Sequence, residues 1–218
     1  MEPTVSGVGV LDKSMVVLNA VAEQKRTLAE LVDATGLSRA TAHRLAVALE
    51  AHDLLRRTGD GRFALGLHLL ALGRLAAEQF PLAERARPAM EDLRDATGES
   101  VQLYVVDGDA RVCVAALESP HGLRTIVPVG AALPLDRGSA GRVLRGQLGA
   151  KGWVESIEER ERGVASVSAP VVGDDGEVLA ALSVSGPVDR MGASPGRRHG
   201  AAVSRSAAAV AAVAVARH

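Results

Sequence analysis

The sequence predicts an α+β protein in two parts, on the basis of three observations. Residues 10–65 combine short helical patterns with a hairpin signal, and no long apolar strand occurs among them. Residues 100–186 change to strand patterns interrupted by one helix, as in an α+β domain. Between the two parts, residues 66–79 carry leucines at helical spacing, which indicates a connecting helix. The expected domain boundaries are therefore 8–65, 66–80 and 81–218.

Composition narrows the functions to consider. Of the 218 residues, 47% are hydrophobic and 23% are charged, which suits a chain with a buried core and excludes bulk disorder. The single cysteine, Cys113, excludes a disulfide framework and a cysteine-built zinc site. Aromatic residues make up 2%, too few for single-strand binding by base stacking. Because there is no long apolar run and no signal pattern, we expect a cytoplasmic protein without membrane contact.

Three short helices are predicted in the first part. The first covers residues 11 to about 23, with apolar residues at helical spacing. The sequence of Thr27–Glu30 is a capping-box pattern that begins the second helix, and Gly36 supplies the left-handed residue that ends it. Ser38 is placed to cap the third helix, which extends over Ser38 to about His52.

A hairpin follows the third helix. Two extended stretches, 54–57 and 62–65, flank the turn formed by residues 59–61. Three helices followed by a small hairpin are the layout of a winged helix-turn-helix domain, whose recognition helix enters the major groove of DNA. The residues expected to contact DNA lie at two helix starts and beside the hairpin: Thr27, Ser38, Arg39, Thr41, His43, Arg44, Arg56, Arg57 and Arg62.

The chemistry of these residues suits double-stranded DNA. Arginine can bond two acceptors of guanine at once, and Ser38 with the helix-start amides can meet a phosphate. From residue 36 to residue 62 there are five arginines and three acidic residues, so this stretch is locally basic although the formal net charge is -1. The alternative interpretation is a helical bundle with a solvated basic face.

The second part is expected to begin with a helix over residues 82–97. Strands are predicted at 100–106, 111–117, 123–129, 163–172 and 178–186, with a short helix at 139–144 and a closing helix at 201–216. Strands with an antiparallel hairpin near the end, covered by helices, are typical of a sensor domain.

Several motifs, in order along the chain, resemble the IclR family of transcriptional regulators. Residues 27–45 (TLAELVDATGLSRATAHRL) resemble its DNA-binding domain, and 61–66 (GRFALG) resemble its wing. Four further stretches resemble its effector domain: ATGESV at 96–101, LPL at 133–135, GVASVSAPV at 163–171 and LSVSGP at 182–187. The resemblance implies a winged helix-turn-helix, a linker helix and a GAF-like effector-binding domain. It also implies a homodimer or homotetramer that binds operator DNA and a small-molecule effector.

The resemblance also supplies candidate effector contacts. They are Leu123, Thr125, Ser139, Ala140, Ser156, Ser166, Ser183 and Ser185. Ser156 stands where an acidic residue is common in the family, and Ser166 where a cysteine is common. Helix-start amides at 139–141 can bind a carboxylate, and serines two apart share one face of a strand, so we expect a small carboxylate or an amino acid.

Two further details refine the resemblance. The stretches VLDKSM at 10–15 and ESVQLY at 99–104, and the Val167-Ser168 pair, resemble the actinobacterial NdgR-like subgroup, which is linked to leucine and other amino-acid biosynthesis. In contrast, where the family carries several tens of residues between Gly146 and Gly152, this chain has only residues 147–151. We therefore expect a shortened effector domain.

Two functions of different classes stay open. The chain has no nucleophile with a base, no metal-ligand set and no phosphate loop, so we expect no enzyme activity, no metal site and no cofactor. The first function is a transcription regulator whose DNA affinity changes with an effector. The second is an effector-independent DNA-binding module whose C-terminal domain serves only oligomerisation. The serines and the helix start at residue 139 favour the first.

Overall fold

The computed structural model describes residues 6–215, and two compact units divide the chain between Gln79 and Phe80. The first unit packs helices and a hairpin around one small core. Its elements are α1 (Gly9–Glu23), α2 (Leu28–Thr35), α3 (Arg39–Ala51), β1 (Leu55–Arg57), β2 (Phe63–Leu65) and α4 (His68–Glu78). Phe63 is fully buried in the core of this unit and exchanges two backbone hydrogen bonds with Arg26, of 3.1 and 2.7 Å. The hairpin is thereby fixed to the connection between α1 and α2.

The predicted start and end of α2 and the predicted cap of α3 are confirmed. The Thr27 hydroxyl accepts a hydrogen bond from the Glu30 amide, and the Glu30 carboxylate accepts one from the Thr27 amide at 2.7 Å. Gly36 ends α2 in the left-handed region at φ 67°, and the Ser38 hydroxyl caps α3 by accepting from the Thr41 amide. These caps fix where α3 begins, and therefore which of its side chains leave the first turn.

The second unit is a six-stranded antiparallel sheet with helices on both faces. The strand order is β5-β4-β3-β8-β7-β6. The strands are β3 (Ser100–Asp107), β4 (Ala110–Leu117), β5 (Ala132–Pro134), β6 (Val154–Ile157), β7 (Val164–Val172) and β8 (Val178–Pro187). The helices are α5 (Leu82–Thr97), α6 (Gly138–Leu144), α7 (Val188–Met191) and α8 (Pro195–Val215). The larger core includes buried residues of α5, α8 and the central strands, whereas α6 packs with Tyr104 and Cys113 in a smaller cluster.

The strand predicted at 123–129 is wrong. Residues 124–128 form no regular secondary structure, and the neighbouring edge strand is β5 instead. Pro128 has no amide hydrogen to give to a ladder, and only Val127 of the alternating apolar residues is buried. The segment is held beside β4 at its end, where the Gly130 amide donates to the carbonyl of Cys113 at 2.7 Å.

The structure differs from the prediction at β6, which was not predicted, and at the start of α8. Trp153, just before β6, packs against Gly196 and Gly200 of α8. A Cβ at these two glycines would lie 1.9 and 2.5 Å from atoms of the indole ring. The predicted helix at 201–216 begins earlier, at Pro195, and its predicted last residue, Ala216, is outside the described residues. Across residues 6–215, no helix combines the length and apolarity that a membrane crossing requires.

Candidate DNA interface and serine-lined cavity

The third helix presents an exposed cationic face. Its opposite side is buried in the core through Ala42, Leu45, Ala46 and Leu49. Arg39, His43 and Arg44 are exposed and make no hydrogen bond or ion pair within residues 6–215. Ser38 and Thr41 hydrogen-bond each other through their hydroxyls at 2.9 Å, so their first role is to cap the helix. The arrangement offers two guanidinium groups and an imidazole to a partner without loss of any internal contact.

The three arginines of the hairpin have different surroundings. Arg56 is exposed and has no partner in the described part of the chain. Arg57 lies over the ring of Phe63, with its guanidinium carbon 4.3 Å from the ring centroid, and its Nε is 3.3 Å from a Glu50 oxygen. The contact with Phe63 lies within the hairpin, and the contact with Glu50 ties the hairpin to α3. Of the two, Arg56 is the one available for a phosphate.

Arg62 and Thr27 also have structural roles. The Nη1 atom of Arg62 lies 2.6 Å from a carboxylate oxygen of Glu30. The Thr27 amide and, to a lesser degree, Arg62 lower the pKa of Glu30. Both predicted DNA contacts therefore stabilise the start of α2 and its junction with the hairpin.

A small cavity lies between α6 and the strands β6, β7 and β8. Its volume is about 30 Å³, room for little more than one or two water molecules. Six of the eight predicted effector residues line it: Ser139, Ala140, Ser156, Ser166, Ser183 and Ser185. Leu123 and Thr125 do not. They border a neighbouring surface groove, beside Arg162 and Asp189, and their assignment stays a prediction.

The cavity serines come together because of strand register. Ser156 is opposite Ser166, and Ser166 is opposite Ser185, so one row crosses three strands. Residues directly opposite in neighbouring strands share a face of the sheet. The hydroxyl of Ser139, on α6, lies 2.7 Å from that of Ser166 and 2.7 Å from that of Ser168.

The hydroxyl chain continues behind the cavity. Ser168 donates to Ser183 at 2.9 Å, and Ser185 donates to the side-chain oxygen of Gln102 at 2.9 Å. Ser139, Ser168 and Ser183 are each at most 2% exposed. A connected set of buried hydroxyls can rotate to donate to or accept from a polar ligand.

Arg111 is a buried cation in the cavity wall. It is 3% exposed, and its Nη1 atom donates to the carbonyl oxygens of Pro134 and Arg137. Its guanidinium carbon lies 5.5 Å from the centroid of the Tyr104 ring. The close approach of α6 requires Gly141, since a Cβ there would lie 2.8 Å from Nη1 of Arg111 and 2.4 Å from a backbone oxygen.

The loop between β6 and β7 covers the cavity. Arg160 and Glu161 of this loop line it. The Glu159 carboxylate accepts from the Gly138 amide at 3.1 Å and pairs with Arg142 at 3.0 Å. The first amide of α6 is thus bound by the protein's own carboxylate.

Sequence reasoning missed six residues that line the cavity: Tyr104, Arg111, Gly138, Arg160, Glu161 and Val164. It also missed Ser168, which hydrogen-bonds Ser139. Ser168 follows Ser166 at the strand period of two, which places both on one face. A charged residue at the start of the apolar run of β4 was a visible signal for Arg111. No pattern pointed to Tyr104 or to Arg160, which enters through the fold of its loop.

Comparison with known proteins decides which family this architecture belongs to. The IclR helix-turn-helix domain model matches residues 10–59, and the model of the bacterial transcriptional regulator IclR C-terminal domain matches residues 75–149 and 146–212. The chain belongs to the IclR family. IclR-family proteins bind DNA and regulate transcription, and this chain has both of the family's domains.

Relatives with known roles and structures agree with this family. The chain is 28% identical to the HTH-type transcriptional regulator KipR of Bacillus subtilis, over 80% of this chain and 84% of KipR. It is 29% identical to the glycerol operon regulatory protein of Streptomyces griseus, over 82% and 84%. The crystal structure of an IclR homolog from Microbacterium hydrocarbonoxydans, complexed with 4-hydroxybenzoate, matches the fold with a TM-score of 0.76 at 20% identity, covering 94% of this chain and 98% of that one.

The alignments also agree with a shortened IclR effector domain. The C-terminal family model matches in two segments that overlap at residues 146–149. The alignment with KipR has 210 positions but contains only about 174 residues of this chain, which is 80% of its 218 residues. About 36 positions of the alignment are therefore gaps in this chain. The break between the two matched segments falls on the connection between α6 and β6.

Proposed function

We propose that this chain is a cytoplasmic IclR-family regulator whose affinity for operator DNA changes when a small carboxylate or amino-acid-like effector occupies the serine-lined cavity. Residues 8–65 bind DNA, 66–80 form the linker and 81–218 bind the effector. The sensing role is supported above all by the convergence of six predicted effector residues on one cavity. The NdgR-like motifs favour operators of amino-acid biosynthesis, leucine included.

DNA binding rests on α3. Among residues 6–215, Arg39 and Arg44 have no internal partner, and arginine pairs with the two acceptors of guanine in the major groove. Ser38, at the start of the same helix, is placed for a phosphate, and Arg56 extends the contact from the hairpin. In this arrangement α3 reads bases and the other residues set its register.

Regulation requires the cavity to open. A space of about 30 Å³ is too small for an amino acid or a 2-oxo acid, so the β6–β7 loop with Arg160 and Glu161 must move when the effector binds. An effector changes DNA affinity only if it binds the two arrangements of the protein unequally. The relative that binds 4-hydroxybenzoate is a precedent for a carboxylate in this fold.

A homodimer formed through the first unit is part of the proposal. The helix α4 has no buried residue, and Leu67 and Leu70 are 69% and 72% exposed. Val10 and Leu11 of α1 are 63% and 52% exposed. Pairing of these apolar surfaces removes them from water and sets two recognition helices for two half-sites, which multiplies specificity. Second contacts between effector domains give the tetramer.

The test combines site selection with effector screening. Duplexes selected from a random pool give the operator, and fluorescence anisotropy then measures affinity with and without amino acids and 2-oxo acids. We expect a palindromic operator and at least one metabolite that changes its affinity by about 5- to 150-fold. Tight operator binding that no metabolite alters would support the effector-independent module instead.

A variant links the response to the cavity. Ser139→Arg fills the cavity next to Ser166 and Ser168, so the effector response should disappear. Ser194→Arg is the matched control, because Ser194 is exposed and does not line the cavity. A response that survives in Ser139→Arg would locate the effector elsewhere.

A further inference from the structure

We infer that Glu30 and Asp60 lower the affinity of the chain for any DNA duplex, because their carboxylates hold Arg62 away from the phosphates. This inference rests on the proposed DNA binding by the first unit and adds two residues that limit its strength. Arg62 is the cation of the hairpin turn, since residues 58–61 carry no positive charge.

Arg62 is surrounded by oxygen acceptors. Its Nη1 atom lies 2.6 Å from a carboxylate oxygen of Glu30 and donates to the carbonyl oxygen of Lys25 at 3.3 Å. Its Nε atom lies 3.4 Å from a carboxylate oxygen of Asp60. One positive charge therefore faces two negative charges, and this group of side chains has an excess of negative charge.

Both carboxylates are held in place by groups other than Arg62. The Glu30 carboxylate accepts a hydrogen bond from the Thr27 amide at 2.7 Å, and the Asp60 carboxylate accepts one from the Thr58 hydroxyl. These two hydrogen bonds are the main causes that lower the pKa of the two carboxylates. Glu30 and Asp60 are therefore ionised at neutral pH, with or without their contacts to the arginine.

The hairpin does not need these ion pairs for its attachment. Phe63 is fully buried and exchanges two backbone hydrogen bonds with Arg26. In contrast, the side chains of Arg62 and Glu30 are 36% and 43% exposed, and exposed ion pairs contribute little to stability. The main consequence of the pairing is therefore the loss of a free positive charge on the hairpin.

This charge matters for DNA binding because the hairpin follows the recognition helix. The ion pair between Arg57 and Glu50 ties β1 to α3, so the hairpin approaches a duplex together with α3. An arginine that neutralises a phosphate releases counter-ions and strengthens binding regardless of sequence. Arg56 is exposed and has no partner among residues 6–215, whereas Arg62 must first leave two carboxylates. The two carboxylates therefore weaken binding to operator and to other DNA alike.

Glu30→Gln tests the inference, because glutamine can keep the capping hydrogen bond with the Thr27 amide while it loses the charge. Fluorescence anisotropy measures the affinity for operator and for scrambled duplex. We expect both affinities to rise by a similar factor. The loss of affinity between about 50 and 200 mM salt should grow about 3- to 4-fold, the effect of one more phosphate contact. Asp60→Asn should act in the same direction.

Glu23→Gln is the matched control. Glu23 also pairs with an arginine, since Nη2 of Arg26 lies 2.9 Å from its carboxylate. However, the side chain of Arg26 is 13% exposed, and its Nε atom donates to the carbonyl oxygen of Ala20 at 2.7 Å. The control therefore removes the same charge from the same unit without freeing a cation, and it should leave the salt dependence unchanged.

The outcomes separate this inference from the proposed function. If Glu30→Gln changes affinity and salt dependence no more than Glu23→Gln does, the inference is wrong and DNA binding by the first unit stands. A gain that persists when Arg62→Gln is added also overturns it, because the arginine then makes no new contact. A fall in operator affinity alone would mean that the ion pairs position the hairpin instead. If neither the wild type nor any variant binds a duplex, both proposals fail. Because the expected result is a gain, loss of folding cannot produce it.

Discussion

Replacement of Arg44 by alanine separates base recognition from structural support. Arg44 is exposed and has no internal partner among residues 6–215, so its removal should change the free energy of unfolding by less than about 0.5 kcal/mol. If its guanidinium bonds a guanine, operator binding should weaken by about 1–3 kcal/mol. That loss corresponds to about 5- to 150-fold in affinity. Arg39→Ala should behave in the same way.

The control is an arginine whose contacts are internal. Arg57→Ala removes a cation over the ring of Phe63 and an ion pair with Glu50, so we expect a lower unfolding free energy and the same preference for operator over scrambled DNA. Fluorescence anisotropy with both duplexes, at several salt concentrations, measures that preference. If Arg44→Ala loses the same factor on both duplexes, Arg44 contacts phosphate and our account of base recognition by this residue is wrong.

Three other predictions concern assembly and stability. Leu70→Arg places a charge on the exposed apolar side of α4 and should shift sedimentation from dimer towards monomer while operator affinity falls; an unchanged dimer would exclude α4 from the interface. Burial lowers the pKa of His199, so the unfolded chain binds a proton that the folded unit excludes, and the unfolding free energy should fall as the pH drops below about 6.5. In urea unfolding followed by Trp153 fluorescence, His199→Gln should lessen this pH dependence, and an identical slope would contradict it. Gly196→Ala drives a methyl group into the Trp153 ring and should lower the unfolding free energy by about 1–3 kcal/mol; an unchanged unfolding free energy would contradict this packing.

Local chemistry explains why the first unit could be predicted from sequence. The capping box at Thr27–Glu30, the left-handed Gly36 and the Ser38 cap act within a few residues, so their pattern determines where α2 and α3 begin and end. The hairpin turn at residues 59–61 is equally local. In contrast, the internal partners of Arg57 and Arg62 depend on packing between elements. From the sequence alone, these two arginines cannot be distinguished from the arginines that face solvent.

The second unit shows where sequence reasoning fails. Residues 123–129 have the apolar alternation of a strand, but pairing depends on a neighbour, and β4 pairs with β5 instead. The cavity serines were predictable because their spacing of two puts them on one strand face. The burial of Arg111 could not be predicted in this way, because a charged residue in a strand usually faces water. Only the tertiary fold buries Arg111 beneath α6.

The central claim is that the serine-lined cavity and the recognition helix are coupled, and thermodynamic linkage tests it most directly. Calorimetry should measure the affinity of the metabolite that changes operator binding, for the free protein and for the protein saturated with operator. Linkage requires the two affinities to differ by the same factor by which that metabolite changes operator affinity. Equal affinities with and without operator would contradict the account, because an effector that binds both states equally cannot regulate DNA binding.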